Sequence, residues 1–119
     1  MRYFDGQAPD DLPTGTPWEK GNFETVQGMK EIFPGFFVLS SRSQKPGTME
    51  MNELSLALMT PRGLAIVVGC SHPGIDLILQ AAVKIDPRIY TVMGGFHLVM
   101  SPREEVVRVA DALQNTLKV

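Results

Sequence analysis

Residues 63–98 read GLAIVVGCSHPGIDLILQAAVKIDPRIYTVMGGFHL. Two apolar runs, Leu64–Val68 and Ile89–Met93, have the length and composition of buried strands. Between them Ile75, Ile78, Leu79, Ala82 and Ile85 recur at helical spacing. A strand, a helix and a strand of this length make a βαβ unit, whose two strands run parallel. Each strand leads through glycine to a histidine, in Gly69-Cys70-Ser71-His72 and in Gly94-Gly95-Phe96-His97. These are the two histidines of the chain, and Cys70 is its one cysteine. Ligands of open α/β sheets bind beyond the carboxyl ends of parallel strands. The sequence therefore places both imidazoles and the thiol on the edge where such sheets do chemistry.

Outward from this stretch, Asn52–Met59 alternates, with Leu54, Leu56 and Leu58 on one side and Ser55 and Ala57 on the other. That is the pattern of a half-buried strand. Thr60-Pro61-Arg62-Gly63 then makes a tight connection, and the two strands read as a hairpin. Residues 35–40 (GFFVLS) have strand composition, and Lys45-Pro46-Gly47 is a turn signal. The sheet is expected to be mixed, so the fold class is α/β. Residues 1–34, punctuated by Pro9, Pro13, Pro17 and Pro34, read as a loop-rich lead-in docked through Phe4, Trp18 and Phe23. Pro73 is expected in the first turn of the first helix, with Ser71 or His72 as its cap and an end near Asp86-Pro87. Ser101-Pro102-Arg103-Glu104 reads as a capping box opening a second helix, with an apolar stripe of Val106, Val109, Ala110, Leu113 and Leu117.

At 119 residues the chain makes one domain. A net charge of −2 points away from nucleic acid and from anionic membrane surfaces. One cysteine excludes an internal disulfide framework and fits a reducing compartment. The amino terminus, MRYFDGQAPDDLP, has no apolar run of signal-peptide length, and no segment approaches a membrane span, so a cytoplasmic protein is expected.

Imidazole and thiolate are good ligands for zinc and related ions. Two histidines at neighbouring strand ends can share one ion, or serve two ions bridged by a water. A metal of this kind lowers the pKa of bound water towards neutrality. The amides opening the helix near Gly74 favour an anion such as phosphate. Duller accounts stand beside these. A histidine at a strand end is commonly a hydrogen-bonded structural residue, and a cysteine a small buried hydrophobe. Gly94-Gly95 would allow close packing of a helix, Ser71 would serve as a cap, and Asp76 would answer the helix dipole.

The run LAIVVGCSHPGI, a helix, and then YTVMGGFHL resemble the carboxyl-terminal half of metallo-β-lactamase-fold hydrolases. They are similar to the branch that includes the dihydropterin phosphate synthase of methanopterin biosynthesis. PGFFVLS and NELSLALMTPRG resemble the strands that precede the GCSH motif there. The resemblance implies half of an αββα sandwich, a mixed sheet with helices, in which residues 35–119 are a partial domain after the lead-in at 1–34. It implies a metal site, usually of zinc, to which His72 contributes first and His97 second, with Cys70 a ligand or a residue behind the ligands. The parent activity would be hydrolysis or a related transfer on an anionic small molecule, with zinc hydroxide as nucleophile. The H-x-H-x-D-H motif of that family does not occur in the chain. The resemblance therefore implies an incomplete ligand set, inactive alone or dependent on a second copy or a partner chain for the missing half. The alternative is a non-catalytic interaction module that uses the uncovered face and edge of the sheet.

Overall fold

A computed structural model describes residues 2–4, 23–43 and 52–119. The βαβ unit forms as the apolar pattern requires. Strand β6 (Gly63–Val67) pairs parallel with β7 (Ile89–Met93), and helix α1 (Ile75–Ala82) connects them. β5 (Asn52–Thr60) and β6 make the expected hairpin, with Thr60 opposite Gly63. β4 (Phe36–Arg42) lies antiparallel on the other side of β5. With β3 (Met29–Phe33) on the outer side of β4, the result is a five-stranded mixed sheet in the order β3-β4-β5-β6-β7, followed by α2 (Arg103–Asp111) and a π-helical turn, Ala112–Thr116.

The described residues within 1–34 include strands where the sequence reads as loop. β1 (Arg2–Phe4) and β2 (Phe23–Thr25) pair in parallel, and β3 (Met29–Phe33) forms the sheet edge against β4. The line drawn at residue 34 thus falls inside the β3–β4 connection. β3 hid because its alternation is inverted: Lys30 and Ile32 are half-buried while Met29 and Phe33 are exposed. The side chains of Phe4, Trp18 and Phe23, and the Lys45-Pro46-Gly47 turn, lie outside the described residues.

The core lies between α1 and one face of the sheet. Ile75, Ile78, Leu79 and Ala82 of the helix join Leu39, Ala57, Leu64 and Ile66 of three strands in one buried cluster. The face of β5 that this core buries carries Ser55 and Ala57, not the leucines. The buried side chains of β5 are thus small, and Leu54, Leu56 and Leu58 lie half-buried on the opposite face. Of the expected α2 stripe, Val109 is buried and Leu113 and Leu117 pack on the core, whereas Val106 and Ala110 are exposed.

Both helix starts differ from expectation. α1 is capped by Gly74, and Pro73 sits before it in a turn closed by Gly74 N–H to the Ser71 carbonyl (3.0 Å). Residues beyond Ala82 continue as turns rather than helix. α2 is capped by Pro102 itself, in extended backbone with no side-chain capping bond, so the Ser101 box does not form. Asp76 does more than answer a dipole. Its carboxylate accepts from Arg108 Nη1 at 2.8 Å and ties α1 to α2. No helix among the described residues is long and apolar enough to cross a membrane.

The entry to β7 is built by Asp86, whose Oδ1 accepts from the Arg88 amide at 2.8 Å, while its Oδ2 accepts from Arg88 Nη2 at 2.7 Å. The side-chain bond from Arg88, then its amide, holds the Asp86 carboxyl below its ordinary range. A carboxyl depressed in the folded state stabilises above the unfolded value of about 3.9 and loses that contribution as pH falls through the folded value. We expect wild type to exceed Asp86→Asn in urea stability at pH 6, and the gap to close as pH falls below about 4. Paired chemical denaturation series across pH check this.

Candidate metal centre

The two histidine loops leave adjacent parallel strands at the same end of the sheet. The Val68 amide donates to the Met93 carbonyl at 2.9 Å, carrying the ladder one step past β6. The Gly95 amide then donates to the Gly69 carbonyl at 2.8 Å, and the Ser71 hydroxyl to the Gly95 carbonyl at 2.6 Å. Ser71 is buried and neither caps the helix nor stands free as a nucleophile; its hydroxyl clasps one loop to the other. Gly94 has φ +134°, and a Cβ there would run into the Val68 carbonyl. The glycine pair is thus needed for close packing against the chain after β6, not against a helix.

The clasp brings the imidazoles together. The His72 and His97 rings have centroids 4.4 Å apart, tilted by 56°. Both loops hold a non-glycine residue in left-handed backbone, Ser71 at φ 61° and His97 at φ 52°. Such residues cluster where a surrounding structure over-determines them, active sites included. His97 and Cys70 are exposed, and His72 is half-buried.

A residue missed in the sequence reading completes the arrangement. Glu53 on β5 accepts from the Cys70 amide through Oε1 (3.1 Å) and from the His72 amide through Oε2 (2.5 Å). The Ser43 hydroxyl donates to the His72 carbonyl at 3.2 Å. His72 is therefore gripped on both sides of its main chain by residues from β5 and from just past β4. One signal for Glu53 was available: it shares strand parity with Ser55 and Ala57 and so falls on the core side.

Glu53, Cys70 and His72 each offer one ligand atom, and these lie within 4.8 Å of one another. His97 is not a member of that trio, although its ring neighbours that of His72. His72 Nδ1 is buried and makes no hydrogen bond, although Glu53 Oε2 is 3.3 Å away. The distance is within reach, but the geometry is not that of a hydrogen bond. An orphaned ring nitrogen beside a thiol and a carboxylate is a donor set that fits a zinc-like cation.

No family model matches the chain. It is 43% identical over 98 residues to the 7,8-dihydropterin-6-methyl-4-(β-D-ribofuranosyl)-aminobenzene-5'-phosphate synthase of Methanocaldococcus jannaschii. That match covers 81% of this chain and 31% of the relative, so the chain spans about a third of that protein's length. Among solved structures, the chain superposes on a metal-dependent hydrolase of the β-lactamase superfamily with a TM-score of 0.70 and 29% identity. The superposition covers 82% of this chain and 44% of the other. The mixed sheet with its two helices is a partial domain of metallo-β-lactamase-like α/β fold.

The clasp makes a direct prediction. Gly94→Ala adds a Cβ against the Val68 carbonyl in strained backbone, and should cost about 2–4 kcal/mol. Thermal or urea unfolding of the variant measures it.

Proposed function

We propose that this chain is part of a metallo-β-lactamase-fold protein that carries out metal-dependent hydrolysis, or a related transfer, on an anionic small molecule. The observation that carries the reading is the meeting of His72 and His97, rings 4.4 Å apart, at the ends of adjacent parallel strands. In this reading His72 and His97 contribute to a zinc site, with Cys70 beside them. Bound zinc would supply Lewis acidity and lower the pKa of a water ligand. The chain's own part is to hold its donors in place. Glu53 and Ser43 fix the His72 main chain, and the Ser71–Gly95 bond fixes the separation of the two loops.

An anionic substrate is supported by the phosphate in the name of the Methanocaldococcus relative, and a metal by the metal dependence of the structural neighbour. The chain has two histidines and spans about a third of that relative. Activity is therefore proposed to need donors from beyond this chain, and the chain alone to turn over little or nothing.

A second reading, an interaction module, is favoured by one feature. Met93 and Val67 are 51% and 38% exposed on the same sheet face as the half-buried Leu56 and Leu58. Light scattering on metal-free chain separates the two: a folded dimer indifferent to zinc supports the module.

For the metal-site reading, His72→Ala and His97→Ala should each weaken zinc binding by at least about tenfold, the lower end of what loss of a mere supporting residue costs. Equilibrium dialysis with elemental analysis measures it. Unchanged binding in both variants overturns the reading.

A further inference from the structure

Glu53 has no part in the two-histidine reading beyond holding a loop, yet its carboxylate lies on the buried side of β5, against an orphaned nitrogen. We propose that Glu53, Cys70 and His72 form a one-cation site within this chain, using a Glu53 carboxylate oxygen, Cys70 Sγ and His72 Nδ1. The inference deepens the metal-site reading, with which it shares His72 and Cys70; Glu53 and the choice of nitrogen are its own.

Distance supports it first. Two oxygen or nitrogen ligands on a tetrahedral zinc, each about 2.0–2.1 Å from the ion, lie about 3.3 Å apart. Glu53 Oε2 and His72 Nδ1 are 3.3 Å apart. The thiolate stands slightly further out on such an ion, at about 2.3 Å, and one atom of each of the three residues falls within 4.8 Å of the others.

Direction supports it second. If Glu53 only oriented the imidazole, Nδ1–H would point at a carboxylate oxygen, as supporting carboxylates receive histidine N–H groups. Nδ1 makes no hydrogen bond at all. Nor is the carboxylate free to swing to meet it. The Cys70 and His72 amides pin one oxygen each, and Ser43 holds the His72 carbonyl. Each pinned oxygen keeps a further lone pair, enough for an ion. A fixed carboxylate oxygen and an unpartnered ring nitrogen facing each other across 3.3 Å leave a place that a cation can fill.

The donor types set the class. Thiolate and imidazole select zinc-like ions over magnesium or calcium, and one carboxylate is compatible with that choice. Cys70 is exposed, so an ion from solvent can reach its thiol.

The test uses the full chain labelled with 15N-histidine and titrated with zinc, read by two-bond 1H–15N correlation. The expected result is a metallated Nδ1 and a protonated Nε2 at His72. Metallation at Nε2 overturns the proposal, as does a His72 signal indifferent to zinc. Cobalt(II) gives a second readout. Wild type should show a sulfur-to-cobalt charge-transfer band, absent in Cys70→Ser and kept in His97→Ala. Glu53→Gln should weaken cobalt binding at least about tenfold while near-ultraviolet circular dichroism stays native. A Glu53→Gln variant that folds and binds cobalt as wild type does overturns the role of Glu53. The two readings fail separately. If His97→Ala leaves zinc binding intact and Nδ1 is metallated, this site stands without its histidine neighbour. If Nε2 is metallated and His97→Ala weakens binding, the two-histidine site stands alone.

Discussion

The chain leaving β6 and the chain leaving β7 touch, and the positions of Cys70, His72 and His97 depend on that contact. Parallel pairing aligns the two strand ends, but side chains ordinarily hold the departing loops apart. Here glycine lets the backbones meet. Gly94 takes a φ of +134° under the Val68 carbonyl, and the Gly95 amide reaches the Gly69 carbonyl. The Ser71 hydroxyl then closes the contact from the other side. With the loops in register, His72 and His97 meet as neighbours rather than diverging over opposite faces of the sheet.

Much of this was legible from periodicity. The 75/78/79/82 spacing marked the buried face of α1, and alternation with a tight connection marked the β5–β6 hairpin. Glycine before each histidine located the strand ends. What escaped was of two kinds. Local patterns misled where size mattered more than hydropathy: the small Ser55 and Ala57 face the helix, while the leucines face away. Ser101 looked like a cap, but Pro102, extended at ψ 150°, takes that position one residue later. Long-range bonds left no periodic trace. Glu53 meets partners 17 and 19 residues downstream, and Ser71 one 24 residues downstream. Nothing near either residue in sequence announces such a partner.

The two faces of the sheet are unequal in a way that follows from the same packing. On the helix side Leu64, Ile66, Ile78 and Leu79 are fully buried. On the other side Leu56 and Leu58 are half-buried and Met93 is 51% exposed. A strand buried on both faces reads as a continuous apolar run, as Leu64–Val68 does, because alternation would place polar groups in one of the two cores. β6 has that run, yet Val67 is 38% exposed among the described residues. Its composition suits a two-sided environment, in agreement with a chain that spans 44% of a solved neighbour of the same fold.

The candidate site is also where local preference is most strongly overruled. Ser71 and His97 stand in left-handed backbone, which costs a non-glycine residue about 1–3 kcal/mol. Against this stand the bonds that hold the loops, each worth about 0.5–1.5 kcal/mol, with those to the Glu53 carboxylate at the upper end or above. The two sums are similar in size, so the loops keep their shape through distant partners rather than through their own sequence. Glu53 is the most consequential of these. Its carboxylate gathers the Cys70 and His72 amides and lies 3.3 Å from the His72 ring. A neutral side chain would bond the amides less strongly and present no charge to whatever the ring nitrogen faces. A carboxylate withdrawn from water as far as that of half-buried Glu53 is costly unless it is hydrogen-bonded and paired. The two amides meet the first requirement, and a cation shared with His72 and Cys70 would meet the second.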